Sequence, residues 1–241
     1  MAFVRPQHRA VAAALRAVDA DLFGACHCYF GGGTAIVLQR GEYRLSLDVD
    51  FLCADAEGYR MLRNRVFGAA GAEAFFGPEI GTIRPFRADQ YGIRGFVSLG
   101  EQPIRFEIVR EARITLDGAL DLELGVPTLS VACQFAEKLL ANADRGLDTS
   151  AAYRDAIDLG FLVLAVGFIP PDAIAKAEAA YGAVVARSLH AVLTALDLPD
   201  TVAKAADTLQ MNRVAAEAAV MALRRAAAMA WPEAGFARRP G

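Results

Sequence analysis

Residues 29–51 read YFGGGTAIVLQRGEYRLSLDVDF and hold two features that could do chemistry together. Asp48 and Asp50 stand at i and i+2, and on an extended strand such positions share a face. Two carboxylates held side by side repel one another. A hard divalent cation removes the conflict, because Mg²⁺ takes oxygen ligands and keeps coordination places for substrate phosphates. The other face of that strand, Leu45, Leu47, Val49 and Phe51, is apolar, which suits a strand with one face in a core. Just upstream, Gly31, Gly32 and Gly33 precede Thr34 and a helix-forming run. Glycine lets backbone approach a ligand, and a helix start offers free N–H groups and a positive dipole end, so the turn suits phosphate. The stretch lacks the lysine of GxxxxGK[ST] and is not GxGxxG. Taken singly, each motif is also what a plain tight turn or a solvated acidic strand would show.

The elements that must position these groups follow from periodicity. Val11, Leu15, Val18 and Leu22 recur at helical spacing and predict a helix over 7–23. CHCYF reads as a strand running into Gly31, and TAIVLQR as a helix starting at Thr34. LSLDVDFLC alternates from Leu45 to Cys53, with Ser46, Asp48, Asp50 and Leu52 on the polar side. A helix over 56–70 is followed by GTIRPF, YGIRGFVSLG and QPIRFEIVRE, three strands parted by turn residues that predict an antiparallel meander. ITLDGALDLELGVPTLS is a connection with short extended pieces. After Pro127 the character is helical: LSVACQFAEKLLANADRG closed by Gly146, then TSAAYRDAIDLGFLVLAVG with Thr149 or Ser150 as N-cap, then 171–196, 199–210 and 212–230. The expectation is an α+β protein with an α/β domain over 1–126 and an all-helical domain over 127–241, and a frayed RRPG end.

Composition narrows the class. A hydrophobic content of 55% with 22% charged residues supports a packed core, and a net charge of −3 gives no basic signature of nucleic-acid binding. Arginine supplies 22 of the 25 basic residues. Cys26, Cys28, Cys53 and Cys133 are too few for a disulfide framework and read as free thiols in a reducing cytoplasm. Strand alternation would put Cys26 and Cys28 on one buried face and His27 on the other. The N-terminus has no signal-peptide pattern. The longest apolar run, GFLVLAVGFIPP, is shorter than the ~20 residues a bilayer needs, so no membrane association is expected.

The combination of glycine turn, helix and DxD strand resembles the first motif of the nucleotidyltransferase superfamily that includes DNA polymerase beta. More narrowly, GGT…R.S.D.DF resembles the AbiEii/AbiGii toxin family. Two further motifs of that family stand downstream in order: EKLLANADR, with Lys138, Ala141 and Arg145, and YRDAIDLGFL, with Arg154, Asp155, Asp158 and Leu159. The resemblance runs from about Tyr29 to Phe161. It implies a polymerase-beta-like domain with a mixed or antiparallel sheet, followed by a helical bundle. It also implies that Asp48 and Asp50 hold one or two Mg²⁺ ions, that Gly32, Gly33 and Thr34 bind the β- and γ-phosphates of an NTP, and that Arg44 and Ser46 touch phosphate.

A third carboxylate is expected on a later strand; Glu107, between Phe106 and Ile108, has the right alternation, with Glu101 and Glu111 as rivals. Lys138 is expected on the triphosphate. Asp155 and Asp158, at i and i+3, share a helix face and would position Lys138, Arg145 or the nucleotide's sugar. The implied activity is nucleotidyl transfer to an acceptor, with RNA or tRNA favoured, by the toxin of a toxin–antitoxin or abortive-infection system that has a cognate antitoxin. A small-molecule or protein acceptor, or a degenerate fold acting as a non-catalytic binding module, are the alternatives. A basic groove built from Arg60, Arg63, Arg65, Arg84, Arg87 and Arg94 would support RNA, if they cluster.

Overall fold

A computed structural model describes residues 3–69 and 71–236. Ala70, at the end of the predicted helix over 56–70, and the RRPG end lie outside the described residues. The chain divides into two compact units: Met1–Leu38 with Ser46–Ser130, and Gln39–Leu45 with Val131–Gly241. Ser130 and Val131 thus fall in different units, and a seven-residue excursion around Arg44 joins the second unit.

The first unit contains α1 (Pro6–Arg16), α2 (Ala20–Ala25), β1 (Cys28–Gly31), α3 (Gly32–Gln39), whose last residue already belongs to the second unit, β2 (Val49–Cys53), α4 (Ala56–Gly68), β3 (Ile80–Ala88), β4 (Gly92–Leu99), β5 (Gln102–Arg110), β6 (Gly118–Asp121) and β7 (Val126–Leu129). The seven strands form one mixed sheet in the order β3-β4-β5-β2-β1-β7-β6. The meander β3-β4-β5 is antiparallel, as its alternation predicts, while β2 runs parallel to β5 and β1 parallel to β7. One face is a phenylalanine core. Phe30, Phe51 and Phe106 are fully buried, Phe23 sits 4.5 Å from Phe51, and Phe75 and Phe86 close around Phe106. Each such ring adds about 1.5–3 kcal/mol of transfer free energy. The alternate residues of β2 and β5 project from the opposite face.

Three details differ from the periodicity. The helix expected over 7–23 is two helices, because Asp19 caps a new start by accepting from the Leu22 N–H at 3.0 Å. Cys26 and Cys28 are buried and His27 exposed, yet not by alternation: Cys26 ends α2, and His27 has φ 47° in the turn before β1. The DxD strand spans Val49–Cys53 only; Leu45 and Leu47 are partly buried, Leu45 within the Gln39–Leu45 segment of the second unit and Leu47 against the core of the first.

The second unit holds α5 (Val131–Arg145), α6 (Arg154–Val166), α7 (Pro171–Tyr181), α8 (Val184–Leu196), α9 (Thr201–Thr208) and α10 (Arg213–Ala230). Neither Thr149 nor Ser150 caps α6. Both lie in a 3₁₀ turn capped by Asp148, and Ala152 and Tyr153, with φ 48° and 54°, break the chain before α6 begins. The helix expected over 171–196 is two, bent by 106° beside Gly182. At Gly160 a Cβ would come within 2.4 Å of the Ala219 carbonyl oxygen, so glycine is what lets α6 lie against α10. Among the described residues no single helix is long and apolar enough to cross a membrane.

Candidate functional site

In the first unit the glycine turn and the acidic strand are neighbours. β1 pairs antiparallel with β2 so that Gly31 stands opposite Asp50. The chain then turns at Gly32, with φ +67°, directly into α3. A Cβ at Gly32 would lie 2.9 Å from Asp50 Oδ2. Glycine is required there twice over, by the left-handed backbone and by the closeness of the carboxylate. The helix starts two residues earlier than Thr34, so Gly32, Gly33 and Thr34 supply the N–H groups that have no partner within the helix. The Thr34 and Ser46 hydroxyls are hydrogen-bonded to each other at 2.8 Å, and Ser46 donates its backbone N–H to His8 Nε2 at 3.2 Å. These bonds fix the approach to Asp48. Thr34 is itself buried, so its hydroxyl serves that approach rather than an open surface.

Sheet register then selects among the three candidate glutamates. β2 and β5 pair in parallel with Asp50 opposite Glu107, and β5 and β4 pair with Glu107 opposite Arg94. Residues in register share a face, so Gly31, Asp50, Glu107 and Arg94 form one cross-strand row. Glu101 lies in the turn before β5. Glu111 lies beyond β5, buried against Arg113, whose Nη2 donates at 2.6 Å.

The carboxylates of this row are engaged with arginines. Glu107 accepts from Arg94 Nε at 2.5 Å and from Arg105 Nη2 at 2.6 Å. Arg105 also places Nη1 3.6 Å from Asp48 Oδ2. One guanidinium thus lies between Asp48 and Glu107, where a cation bridging them would sit. Among the described residues no group of three or more His, Cys, Asp or Glu side chains is gathered closely enough to hold a metal. The pair Asp48 and Asp50 offers hard oxygen donors beside the helix start and fits Mg²⁺ chemically. Glu107 completes that set only if Arg105 lets go.

In the second unit, α5 brings Lys138 to Asp155 and Asp158 on α6, with Nζ 2.8 Å from Asp155 Oδ1 and 2.7 Å from Asp158 Oδ2. Arg145 donates from Nε to Asp155 at 2.8 Å. Arg44 grips Asp158 with two donors, Nε at 2.7 Å and Nη2 at 2.8 Å. The Tyr43 hydroxyl donates to Asp158 at 2.7 Å while its ring stacks on Phe161 at 3.6 Å. All of Arg44, Lys138, Asp155 and Asp158 are buried. Burial alone would raise both aspartates. Lys138 and Arg145 outweigh it and hold Asp155 far below the usual carboxylate range, and Arg44 with Lys138 lowers Asp158 from its ordinary value. Burial and the Asp158 charge push the Tyr43 phenol well above its ordinary value.

The expected site residues thus fall into two sets. Gly32, Gly33, Thr34, Ser46, Asp48, Asp50 and Glu107 belong to the first unit, and Arg44, Lys138, Asp155 and Asp158 to the second. Arg44, expected on phosphate, has its guanidinium forked on Asp158 instead. Sequence reasoning missed Arg105, Tyr43 and His8, and placed Arg94 in a basic groove without foreseeing its contact with Glu107. Alternation could have found Arg105, two positions before Glu107 on the same strand, whereas Arg94 and His8 needed the tertiary register.

Residues 13–229 match a model of the AbiEii family, described as a nucleotidyl transferase toxin of a type IV toxin–antitoxin system. No curated protein matches the chain. Among solved structures, a candidate nucleotidyltransferase from H. pylori is 17% identical, with a TM-score of 0.52 over 92% of this chain and 94% of its own, a likeness of fold. JHP933 from Helicobacter pylori is 14% identical, with a TM-score of 0.48 over 95% and 94%.

Proposed function

Since the chain belongs to the AbiEii family of nucleotidyl transferase toxins, whose systems pair toxin with antitoxin, we propose that it moves a nucleoside monophosphate from an NTP to an acceptor hydroxyl in a Mg²⁺-dependent reaction. The observation that carries this is the contact between turn and carboxylate: Gly32 is pressed against Asp50, which shares a sheet row with Glu107. Backbone N–H groups of Gly32, Gly33 and Thr34 would hold the β- and γ-phosphates. Asp48 and Asp50 would hold one or two Mg²⁺ ions, which would neutralise the charge on the attacking and departing oxygens. Glu107, once free of Arg105, would accept the proton of the acceptor hydroxyl. The acceptor oxygen bonds to the α-phosphorus as the bond to the bridging oxygen of pyrophosphate breaks.

For Lys138, within the second unit, the proposal is contact with an anionic oxygen. Two of its ammonium protons serve Asp155 and Asp158, and the third has no acceptor among the described residues. Arg44 acts as a positioning residue: anchored on Asp158, it tethers the chain two residues before Ser46 and four before Asp48. We take the acceptor to be RNA, tRNA included, the partner a cognate antitoxin protein, and the compartment a reducing cytoplasm in keeping with four free buried cysteines.

The test is calorimetric titration of each NTP with Mg²⁺ into wild type and D48N, followed by incubation with labelled NTP and total RNA or protein. Mg²⁺-dependent binding lost in D48N, with label on RNA, is the expected result. Label on polypeptide would move the acceptor to protein. The two guanidiniums closed on Glu107 favour a second reading, a binding module without catalysis. Binding equal in wild type and D48N, with no label on any acceptor, would establish it.

A further inference from the structure

The row Gly31–Asp50–Glu107–Arg94 has two different ends. At the Gly31 end stands the glycine turn. At the Arg94 end the sheet continues into β3, where Arg87 stands opposite Arg94 and Arg84 opposite Phe96. Like charges directly opposite each other on neighbouring strands destabilise a sheet; here Glu107 and Asp89 offset Arg94, while Arg87 opposite it is left without such a partner among the described residues. β3 also shifts register twice, on either side of Arg84. Such irregularities bend a strand and re-aim its side chains. Arg84, Arg87, Arg94, Asp89 and Phe96 line a groove of about 710 Å³ along this hairpin.

The charges of the groove are not balanced internally. Arg94 is matched by Glu107 at 2.5 Å and by Asp89 at 3.3 Å. Arg84 and Arg87 are exposed and have no acidic partner among the described residues. The Arg84 guanidinium lies over the Phe96 ring, 5.2 Å from its centroid, a cation–π contact within the groove. Arg60, Arg63 and Arg65 do not line this groove, so of the six arginines singled out in the sequence three converge. From Arg94 to Asp50 is two strand spacings, about 10 Å.

From this geometry we infer that the β3–β4 groove is the acceptor subsite and takes the 3′ end of a single-stranded nucleic acid. Backbone phosphates rest on Arg84 and Arg87, and a base stacks on the exposed face of the Arg84 guanidinium. Flat cation and aromatic surfaces beside unpaired positive charge are what sequence-tolerant single-strand binding uses. The direction of entry rests on the nucleotidyl-transfer reading. Donor phosphates occupy the Gly31 end of the row and the acceptor comes from the Arg94 end, so the terminal hydroxyl reaches Glu107 from the side away from the triphosphate. The anion contacts themselves do not depend on that reading.

The experiment is fluorescence anisotropy of a 5′-labelled 12-nucleotide RNA, titrated with wild type, R84A/R87A and R84K/R87K from 50 to 300 mM NaCl. Losing two phosphate contacts makes the slope of log K against log salt shallower by about 1.4, and weakens binding about 25-fold at 0.1 M salt. R84K/R87K keeps the salt slope of wild type and binds between the other two, because it retains charge without the flat stacking plane. Both arginines are exposed, and circular dichroism confirms the fold of each variant. Affinity and salt slope of R84A/R87A equal to wild type would overturn the inference. Mg²⁺–NTP binding measured on the same proteins separates the two ideas. If R84A/R87A keeps nucleotide binding and loses RNA, the groove is a distinct subsite. If nucleotide binding is indifferent to D48N while RNA still depends on Arg84 and Arg87, nucleotidyl transfer falls and the groove stands.

Discussion

Asp158 is the most heavily committed side chain in the second unit, and replacing it with asparagine tests the network directly. It is fully buried and accepts from Tyr43, from two donors of Arg44 and from Lys138, all within 2.7–2.8 Å. D158N preserves shape but removes the charge, leaving Arg44 and Lys138 buried with Asp155 as the one carboxylate of the cluster. Breaking a buried ion pair from one side costs about 3–5 kcal/mol. The second unit has about 120 residues. At ~2.1 cal/mol/K per residue its unfolding entropy is about 0.25 kcal/mol/K, so ~4 kcal/mol lowers Tm by about 16 °C. Differential scanning calorimetry of D158N beside D207N makes the comparison. Asp207 pairs with Arg213 at the surface, and its loss is expected to leave Tm unchanged.

Acid titration adds a second readout. Asp155 and Asp158 are both held below their unfolded values. Their stabilisation is therefore complete above the unfolded carboxylate pKa of about 3.9 and is lost as pH falls toward the folded values. D158N should flatten that acid limb. A D158N Tm within about 2 °C of wild type, with the acid limb unchanged, would refute the reasoning that this cluster holds α5, α6 and the Arg44 segment together.

Two other substitutions probe the first unit. G32A forces φ +67° on an L residue and drives a methyl toward Asp50 Oδ2 at 2.9 Å; the left-handed backbone alone costs about 1–2 kcal/mol, and calorimetry should show lowered stability together with weakened Mg²⁺–NTP binding, whereas unchanged nucleotide affinity would remove the turn from the site. R105A withdraws the guanidinium between Asp48 and Glu107, so Mn²⁺ binding followed by electron paramagnetic resonance should tighten; weaker binding would show that Arg105 supports the metal site rather than competing for it.

What could be read from the sequence was local. Period-2 alternation marks the meander of β3, β4 and β5, and it separates Asp50 from Val49 and Phe51 because successive strand side chains must point opposite ways. The glycine run marks the turn at Gly32, and helical spacing puts Asp155 and Asp158 on one face toward Lys138. Short-range chemistry also fails visibly in places. The breaks at His27 and at Ala152–Tyr153 use positive φ at non-glycine residues, a conformation that residue type does not announce.

The choice of Glu107 over Glu101 and Glu111, the two arginines on its carboxylate, and the fork of Arg44 on Asp158 came only with the tertiary structure. β2 and β5 are brought side by side by pairing across some fifty intervening residues, and the register that sets Asp50 beside Glu107 is a property of two strands at once. Periodicity along one strand states which face a side chain occupies. It carries no information about which residue of a distant strand will stand next to it, because that is decided by how the whole apolar face packs.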